Sequence, residues 1–409
     1  MKPDDMPGNG FDYMQLTDWR QFGDVNIDFH PRLTVLTGAN ASGKTTILNI
    51  LGRHFDWRSQ FLSTPRWSSS GLDWQPNDVN TGRIGELGYW NNTVSPIKYT
   101  LSTQAEANLE LVAQAEVKGV YISSHRTTGQ YSRLQTIPAE FSAVSVIFQQ
   151  FWTEILNRYV GGYSAKSPLT AMKESLLAAA LYGGNREDIE HNPAAASVWA
   201  GYQDALRKSL PQSFGFERLM VRAPEILVST TRGEFLIDSV SGGISAIMEL
   251  TWQIYLRSWE LENFTVCIDE PENHLHPSLQ RSLIPGLLEA FPNISFVIAT
   301  HSPFIVTSVP DSNVYVLASQ NDDGGKINSL LLDTANKSAT ADETLRRVLG
   351  VPTTIPIWAE NELEQLVASL DGPTFVDKVR QVQQALARLG LENQLPAALD
   401  VLENGSADA

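Results

Sequence analysis

The stretch that most restricts this chain is GANASGKTT, Gly38 through Thr46. It fits G-x-x-x-x-G-K-[ST], with Gly38, Gly43, Lys44 and Thr45 in the required places. The apolar run LTVLT (33–37) precedes it, and TTILNILGRHF (45–55), with helical spacing, follows. Strand, glycine-rich turn and helix in that order make a phosphate-binding loop rather than an ordinary Gly/Ser turn. Backbone N–H groups in such a loop curl around phosphate oxygens, and the helix start adds partial positive charge. Lys44 is expected to reach the β/γ-phosphates and the Thr45 hydroxyl to ligate Mg²⁺. Asn40, Ser42 and Thr46 complete the expected cradle.

At 409 residues the chain has room for two or three domains. Its net charge of −16 argues against wholesale coating of nucleic acid, while leaving room for a local basic patch. The opening MKPDDMPGNG has no apolar signal-peptide core, and no stretch is long and apolar enough to span a bilayer. A cytoplasmic location without a membrane partner is expected. The single cysteine, Cys267, cannot form an internal disulfide, which suits a reducing cytosol. It lies in an apolar run and is expected to pack as a small hydrophobe.

In chain order, residues 11–29 read as two short strands broken at Arg20–Gly23. Residues 56–92 hold Trp57, Trp67, Trp74 and Trp90 interleaved with Arg58, Arg66 and Arg83. Base stacking is one use of such a mixture. Packing against the core is the favoured one, because basic residues are few. IKYTLST, LELVAQ and KGVYISS read as an antiparallel meander. Residues 139–215 turn helical, with SPLTAMKESLL and NPAAASVWAGY each opening on a capping residue followed by Pro. EILVST and GEFLIDS form a hairpin, and FTVCIDE, ISFVIA, NVYVLA and KINSLLL further strands. After residue 339 the pattern is helical again, in ADETLRRVLG, AENELEQLVASL, FVDKVRQVQQALARLG and PAALDVLE.

FTVCIDE ends in two carboxylates. Asp269 sits where a second Mg²⁺ contact is needed, and Glu270 can orient or deprotonate an attacking water. His301 ends the next strand, where it would face a γ-phosphate if that strand neighbours the loop. Ser241, Gly242 and Gly243 open a helix, a second anion-binding geometry. A lone acidic strand tip, histidine or Ser-Gly-Gly turn is common. Their order behind a complete phosphate loop gives them weight.

The series GANASGKTT, VSGGI, VCIDEPENHLHP, ATHSP resembles the ABC-type ATPase heads, most of all the soluble non-transporter branch of SMC, RecF and OLD-like AAA-family ATPases found in bacterial antiphage systems. The resemblance covers residues 11 to about 320, apart from the insertions. It implies an α/β P-loop NTPase of ABC-ATPase type: a mixed sheet with an antiparallel β-subdomain, an inserted helical subdomain and C-terminal helices. The implied division is 11–138 and 216–335 for the two halves of the head, 139–215 for the helical insert, and 336–403 for the C-terminal helices. It further implies ATP and Mg²⁺ as cofactors, Lys44 and Glu270 in catalysis with His301 as switch, and Asp269 as metal-side acid. Ser241–Gly243 would be the signature that meets ATP on a second copy, head to tail. Residues 272–276 would lie at the dimer seam, where His274 and His276 pack rather than bind metal. The glutamine that usually couples Mg²⁺ to the signature lobe is not obvious. His125 and Gln130 are candidates, and Arg20 is a further candidate near the nucleotide.

No second buried acidic pair follows His301, so no nuclease is read in the chain. The resemblance therefore implies an ATPase switch for a separate effector such as a nuclease. The alternative is a RecF/SMC-like ATPase that clamps DNA, which the acidic balance disfavours. A transporter subunit is disfavoured by the insert and by DEPENHLHP.

Overall fold

Alternating apolar side chains start the chain. In Phe11–Trp19 (β1) and Phe22–Asp28 (β2), Met14, Leu16, Trp19, Phe22, Val25 and Ile27 all turn inward. The two strands pair antiparallel, with Trp19 opposite Phe22. Leu33–Thr37 (β3) has no polar face and is buried along its whole length. It feeds the loop and Lys44–Gly52 (α1). The computed structural model describes residues 10–57, 59–62, 66–68, 71–73, 82–101, 106–124, 131–159, 161–162, 166–185, 190–319, 325–333, 340–349, 375–389 and 395. They fall in two units, Met1–Gly350 and Val351–Ala409.

Strands β4 (Phe61–Leu62), β5 (Arg66–Ser68), β6 (Gly71–Asp73), β7 (Gly82–Tyr89), β8 (Val94–Leu101), β9 (Glu106–Leu111) and β10 (Gly119–Ile122) come next. Helices α2 (Val144–Tyr159), α3 (Pro168–Tyr182) and α4 (Pro193–Ser209) follow. The two cap-then-Pro signals hold. Ser167 accepts from the Thr170 N–H, and Asn192 from those of Ala194 and Ala195. A small sheet of β11 (Phe216–Arg222), β12 (Glu225–Thr230) and β13 (Gly233–Leu236) leads into α5 (Gly242–Ser258). Then come β14 (Thr265–Asp269), α6 (Pro277–Ala290), β15 (Ser295–Ala299), α7 (Pro303–Val306), β16 (Asn313–Ser319), β17 (Ile327–Leu331) and α8 (Ala341–Arg347). In the second unit, Phe375–Leu389 is helix α9.

One 12-stranded sheet runs β10-β14-β15-β3-β16-β17-β2-β1-β7-β8-β9-β4. From β10 to β16 every pairing is parallel. Two apolar cores cover this half, as parallel strands require. Val35 and Ile298 turn to the core that holds α2–α6, while Leu36, Val297 and Ala299 turn to the core that holds α1. The inserted helices share the first of these cores: Ile147, Leu176 and Val198 pack in the same cluster as Leu33 and Val120.

KGVYISS does not continue the meander. β8 and β9 are antiparallel, but β10 crosses to the far edge of the sheet and lies parallel to β14, with Gly119 beside Thr265. All four of its residues are buried, a pattern that belongs to a covered parallel strand and not to a half-wet hairpin. The antiparallel strands extend the same sheet rather than forming a separate one. β11 lacks a clear alternation in sequence and finds its place by pairing with β12. The expected helices at AENELEQLVASL and PAALDVLE fall outside the described residues. Trp57 is core: it stacks on Tyr121 with ring centroids 4.4 Å apart. Trp74 and Arg58 lie outside the described residues.

Candidate functional site

Strand order puts the chemistry together. β15 lies between β14 and β3, so the carboxyl ends of all three open on one crevice. The loop leaves β3 at Gly38, whose φ is +137° and whose added Cβ would sit 2.3 Å from the Leu317 carbonyl oxygen. Gly43, with φ +96°, starts α1, and a Cβ there would lie 2.3 Å from the Phe22 ring. Only glycine fits either position. Asn40 and Ala41 are exposed at the tip of the loop, Ser42 is buried, and Thr46 is half-buried in the first turn of α1. Lys44 Nζ donates to the carbonyls of Gly38 (3.0 Å) and Ala39 (2.9 Å) and to Ser42 Oγ (3.3 Å). Burial lowers its pKa to about 8, against the opposing pull of Asp269, Glu270 and Glu272.

Thr45 Oγ1 donates to Asp269 at 3.2 and 3.0 Å from its two carboxylate oxygens. Burial raises the Asp269 pKa to about 6, opposed by the Thr45 hydrogen bond. A hydroxyl and a carboxylate are hard oxygen donors suited to Mg²⁺, an ion that keeps several waters and takes phosphate oxygens. Among the described residues no group of three or more His, Cys, Asp or Glu side chains is arranged to hold a metal by itself. The pair therefore fits a metal shared with a phosphate ligand.

Glu270 follows in a left-handed conformation, φ +46°, which a carboxylate residue holds only at a cost of roughly 1–3 kcal/mol. Its N–H donates to the Ala299 carbonyl at 2.8 Å, and its Oε1 stands 3.9 Å from His301 Nε2. Burial, and then the nearby Lys44, lower the His301 pKa, which favours a neutral ring. Asn273 Nδ2 donates to Glu270 Oε2 at 2.9 Å and to the Ser124 carbonyl beyond β10 at 3.2 Å. The Glu272 carboxylate accepts from the Thr300 hydroxyl (2.8 Å) and from the His301 N–H (2.7 Å). Burial raises its pKa. Asn273 and Glu272 belong to the segment 272–276 that the sequence assigned to a dimer seam; their support of Glu270, Thr300 and His301 within the chain was not read from it. The motif EPEN contains both, but only the fold shows which neighbours they bind.

Ser241, Gly242 and Gly243 are not joined to the phosphate loop by any hydrogen bond among the described residues. Ser241 is the N-cap of α5 without a side-chain capping bond, and Ser241 and Gly242 are exposed. Gly243 is buried, and a Cβ there would stand 2.8 Å from Leu279 and 3.2 Å from the His274 carbonyl. His276 is a helix cap: its Nδ1 accepts from the Ser278 N–H at the start of α6. His274 is exposed, with φ +68°. His125 and Gln130 lie outside the described residues. The Arg20 guanidinium lies over the Trp19 ring, 5.8 Å from its centroid. Beside the loop stands Gln21, whose Nε2 would be 2.8 Å from a Cβ on Gly43. Cys267 is fully buried, and burial pushes its thiol pKa up.

Two family models match: "AAA domain" over residues 13–158, and "AAA domain, putative AbiEii toxin, Type IV TA system" over residues 230–307. The chain is 32% identical over 126 residues to a retron Ec83 probable ATPase of Escherichia coli, covering 28% of this chain and 23% of that protein. It is 32% identical over 102 residues to a retron Vc95 probable ATPase of Vibrio cholerae, covering 23% and 20%. The matches thus span less than a quarter of either retron relative. To a Septu protein PtuA of Bacillus thuringiensis it is 21% identical over 383 residues, covering 88% and 85%. An SMC head domain with an extended coiled coil from Pyrococcus furiosus, bound to the C-terminal domain of ScpA, aligns at a TM-score of 0.45 and 13% identity, over 81% of this chain and 98% of that one. Among the described residues no helix is long and apolar enough to cross a membrane. The two AAA-domain matches thus fall on the segments that hold the phosphate loop, Gly38–Thr46, and the strand tips at Asp269 and His301, within a mixed sheet of P-loop type.

Proposed function

We propose that the chain binds ATP with Mg²⁺ and hydrolyses it in a head-to-tail pair of copies, and that this cycle switches a separate effector, such as a nuclease, in antiphage defence. The observation that carries the reading is the contact of Thr45 with Asp269 at the mouth of a complete phosphate loop, with Glu270 and His301 at the neighbouring strand tips. Lys44 would exchange its loop carbonyls for phosphate oxygens. Thr45 and Asp269 would hold Mg²⁺, which supplies charge neutralisation at the phosphates. Glu270 would orient the attacking water and take its proton, and His301 would face the γ-phosphate. Positioning and electrostatics of this kind carry most of phosphoryl-transfer catalysis.

The second copy enters because Ser241 and Gly242 are exposed and unbonded to the loop in their own chain. A two-fold pair would let each signature complete the other copy's site. The retron and Septu relatives support a defence setting.

The test is the solution mass of Glu270→Gln with ATP and Mg²⁺, with phosphate release measured on wild type and proteins co-purified from the native host identified. The expected results are a doubled mass, slow turnover and a bound effector. A persistent single copy removes the paired-site reading. Wild type that releases no phosphate, even with its neighbouring gene products added, removes the ATPase reading.

A further inference from the structure

A buried charge cluster outside the nucleotide crevice centres on Lys173 of α3, whose side chain is 0% exposed. Its Nζ donates to Asp238 Oδ2 at 2.6 Å and to the Ser132 carbonyl at 2.8 Å, and lies 3.6 Å from Glu225 Oε2. The Tyr131 hydroxyl donates to Glu225 Oε1 at 3.0 Å, and the ammonium lies 5.5 Å from the Tyr131 ring centroid. One lysine of the helical insert thereby ties together the segment at 131–132, the start of β12, and the turn Ile237–Ser239.

That turn leads directly to Ser241. The signature has few holds of its own. Ser241 makes no side-chain capping bond, and a Cβ on Gly242 would meet nothing within 4 Å. Gly243 alone packs, against Leu279 and the His274 carbonyl. The Asp238 side chain is 2% exposed, and its Oδ1 takes no hydrogen bond among the described residues. A well-packed apolar pair would be as stable as a buried ion pair of this sort, so its effect lies in fixing one geometry.

From this arrangement we infer that Lys173 is a positioning residue for the signature. Its pair with Asp238 locks the turn before Ser241 to the inserted helices, and the insert thereby sets the presentation of Ser241–Gly243 to a nucleotide on the second copy. The lock is a property of one chain. Its use in trans rests on the paired-site reading above.

The test compares wild type with the full-length double variant Lys173→Met/Asp238→Leu, which removes the buried ion pair together and leaves Glu225, 17% exposed, its hydrogen bond from Tyr131. Hydrogen exchange by mass spectrometry, without nucleotide, reads residues 237–245 against 251–256 of the same helix. The expected result is exchange about tenfold faster at 237–245, with 251–256 unchanged. With ATP and Mg²⁺ in the Glu270→Gln background, the double variant should keep its affinity for a fluorescent ATP analogue and need at least about tenfold more protein to pair. Unchanged exchange at 237–245 in the folded double variant overturns the inference. So does faster exchange spread equally over both segments. Faster exchange at 237–245 alone, in a protein that never pairs even as Glu270→Gln, leaves the lock standing and removes the paired-site reading instead.

Discussion

The Thr45 hydroxyl reaches both carboxylate oxygens of Asp269, a residue 224 positions further along the chain. This contact joins the phosphate loop to the acidic strand tip, and it holds the carboxylate in a buried place. Burial raises the Asp269 pKa to about 6, from an ordinary 3.8. The penalty for ionising it is absent below pH 4 and complete above pH 6, so at neutral pH the site without its metal is destabilised by roughly 2–3 kcal/mol. Asp269→Asn should therefore raise unfolding stability in urea at pH 7.5, without ligand, by about 1–3 kcal/mol. The same change should cut Mg²⁺-dependent phosphate release at least about a hundredfold. A less stable Asn variant would contradict this account.

Lys44 is spent on loop carbonyls, and its ammonium is the positive group amid Asp269, Glu270 and Glu272. Lys44→Ala should weaken ATP binding at least about a hundredfold, the loss of roughly 3 kcal/mol of charge-assisted hydrogen bonding. Calorimetric titration measures this directly. An affinity within threefold of wild type would show that the lysine stays on the loop when nucleotide binds.

Asn273 fixes one oxygen of Glu270 and leaves the other towards His301. Asn273→Ala should lower turnover about ten- to a hundredfold through misplacement of Glu270, with ATP affinity unchanged. Single-turnover kinetics beside equilibrium binding separate the two. Equal losses in both would assign Asn273 to binding instead.

His54 gives the fold a pH dependence away from the site. Its ring lies against Phe11 and Tyr89, with Nδ1 donating to the Leu51 carbonyl at 3.0 Å and Nε2 2.9 Å from the Tyr89 hydroxyl. Burial lowers its pKa to about 4, against the opposing hydrogen bond to Leu51, and so favours the neutral ring. The unfolded chain binds the proton first as pH falls. Stability from this residue is therefore complete above pH 6.5 and is lost progressively down to pH 4, by about 3 kcal/mol. Urea midpoints between pH 7 and 4 should drop less steeply for His54→Gln. Identical slopes would place the acid sensitivity elsewhere.

What the sequence determined by itself is local. G-x-x-x-x-G-K-T after an apolar strand dictates the loop, because φ values of +137° and +96° admit glycine and the adjoining strand and helix read by period. The caps at Ser167 and Asn192, the buried Cys267 and the acidic end of β14 were legible for the same reason: each depends on neighbours within a few residues. Tertiary structure decided what depends on partners far along the chain. β10 looks like a hairpin strand in sequence, yet it pairs parallel with β14, because apolar runs suit either place and only sheet packing chooses between them. Asn273 and Glu272 are polar letters in a motif until strand order brings Ser124, Thr300 and His301 within hydrogen-bond reach. In the sequence Lys173 is one charged residue of SPLTAMKESLL with no assigned role. It becomes a buried charge because Asp238, from the turn after β13, and Glu225, from the start of β12, meet it, and desolvation makes that encounter specific.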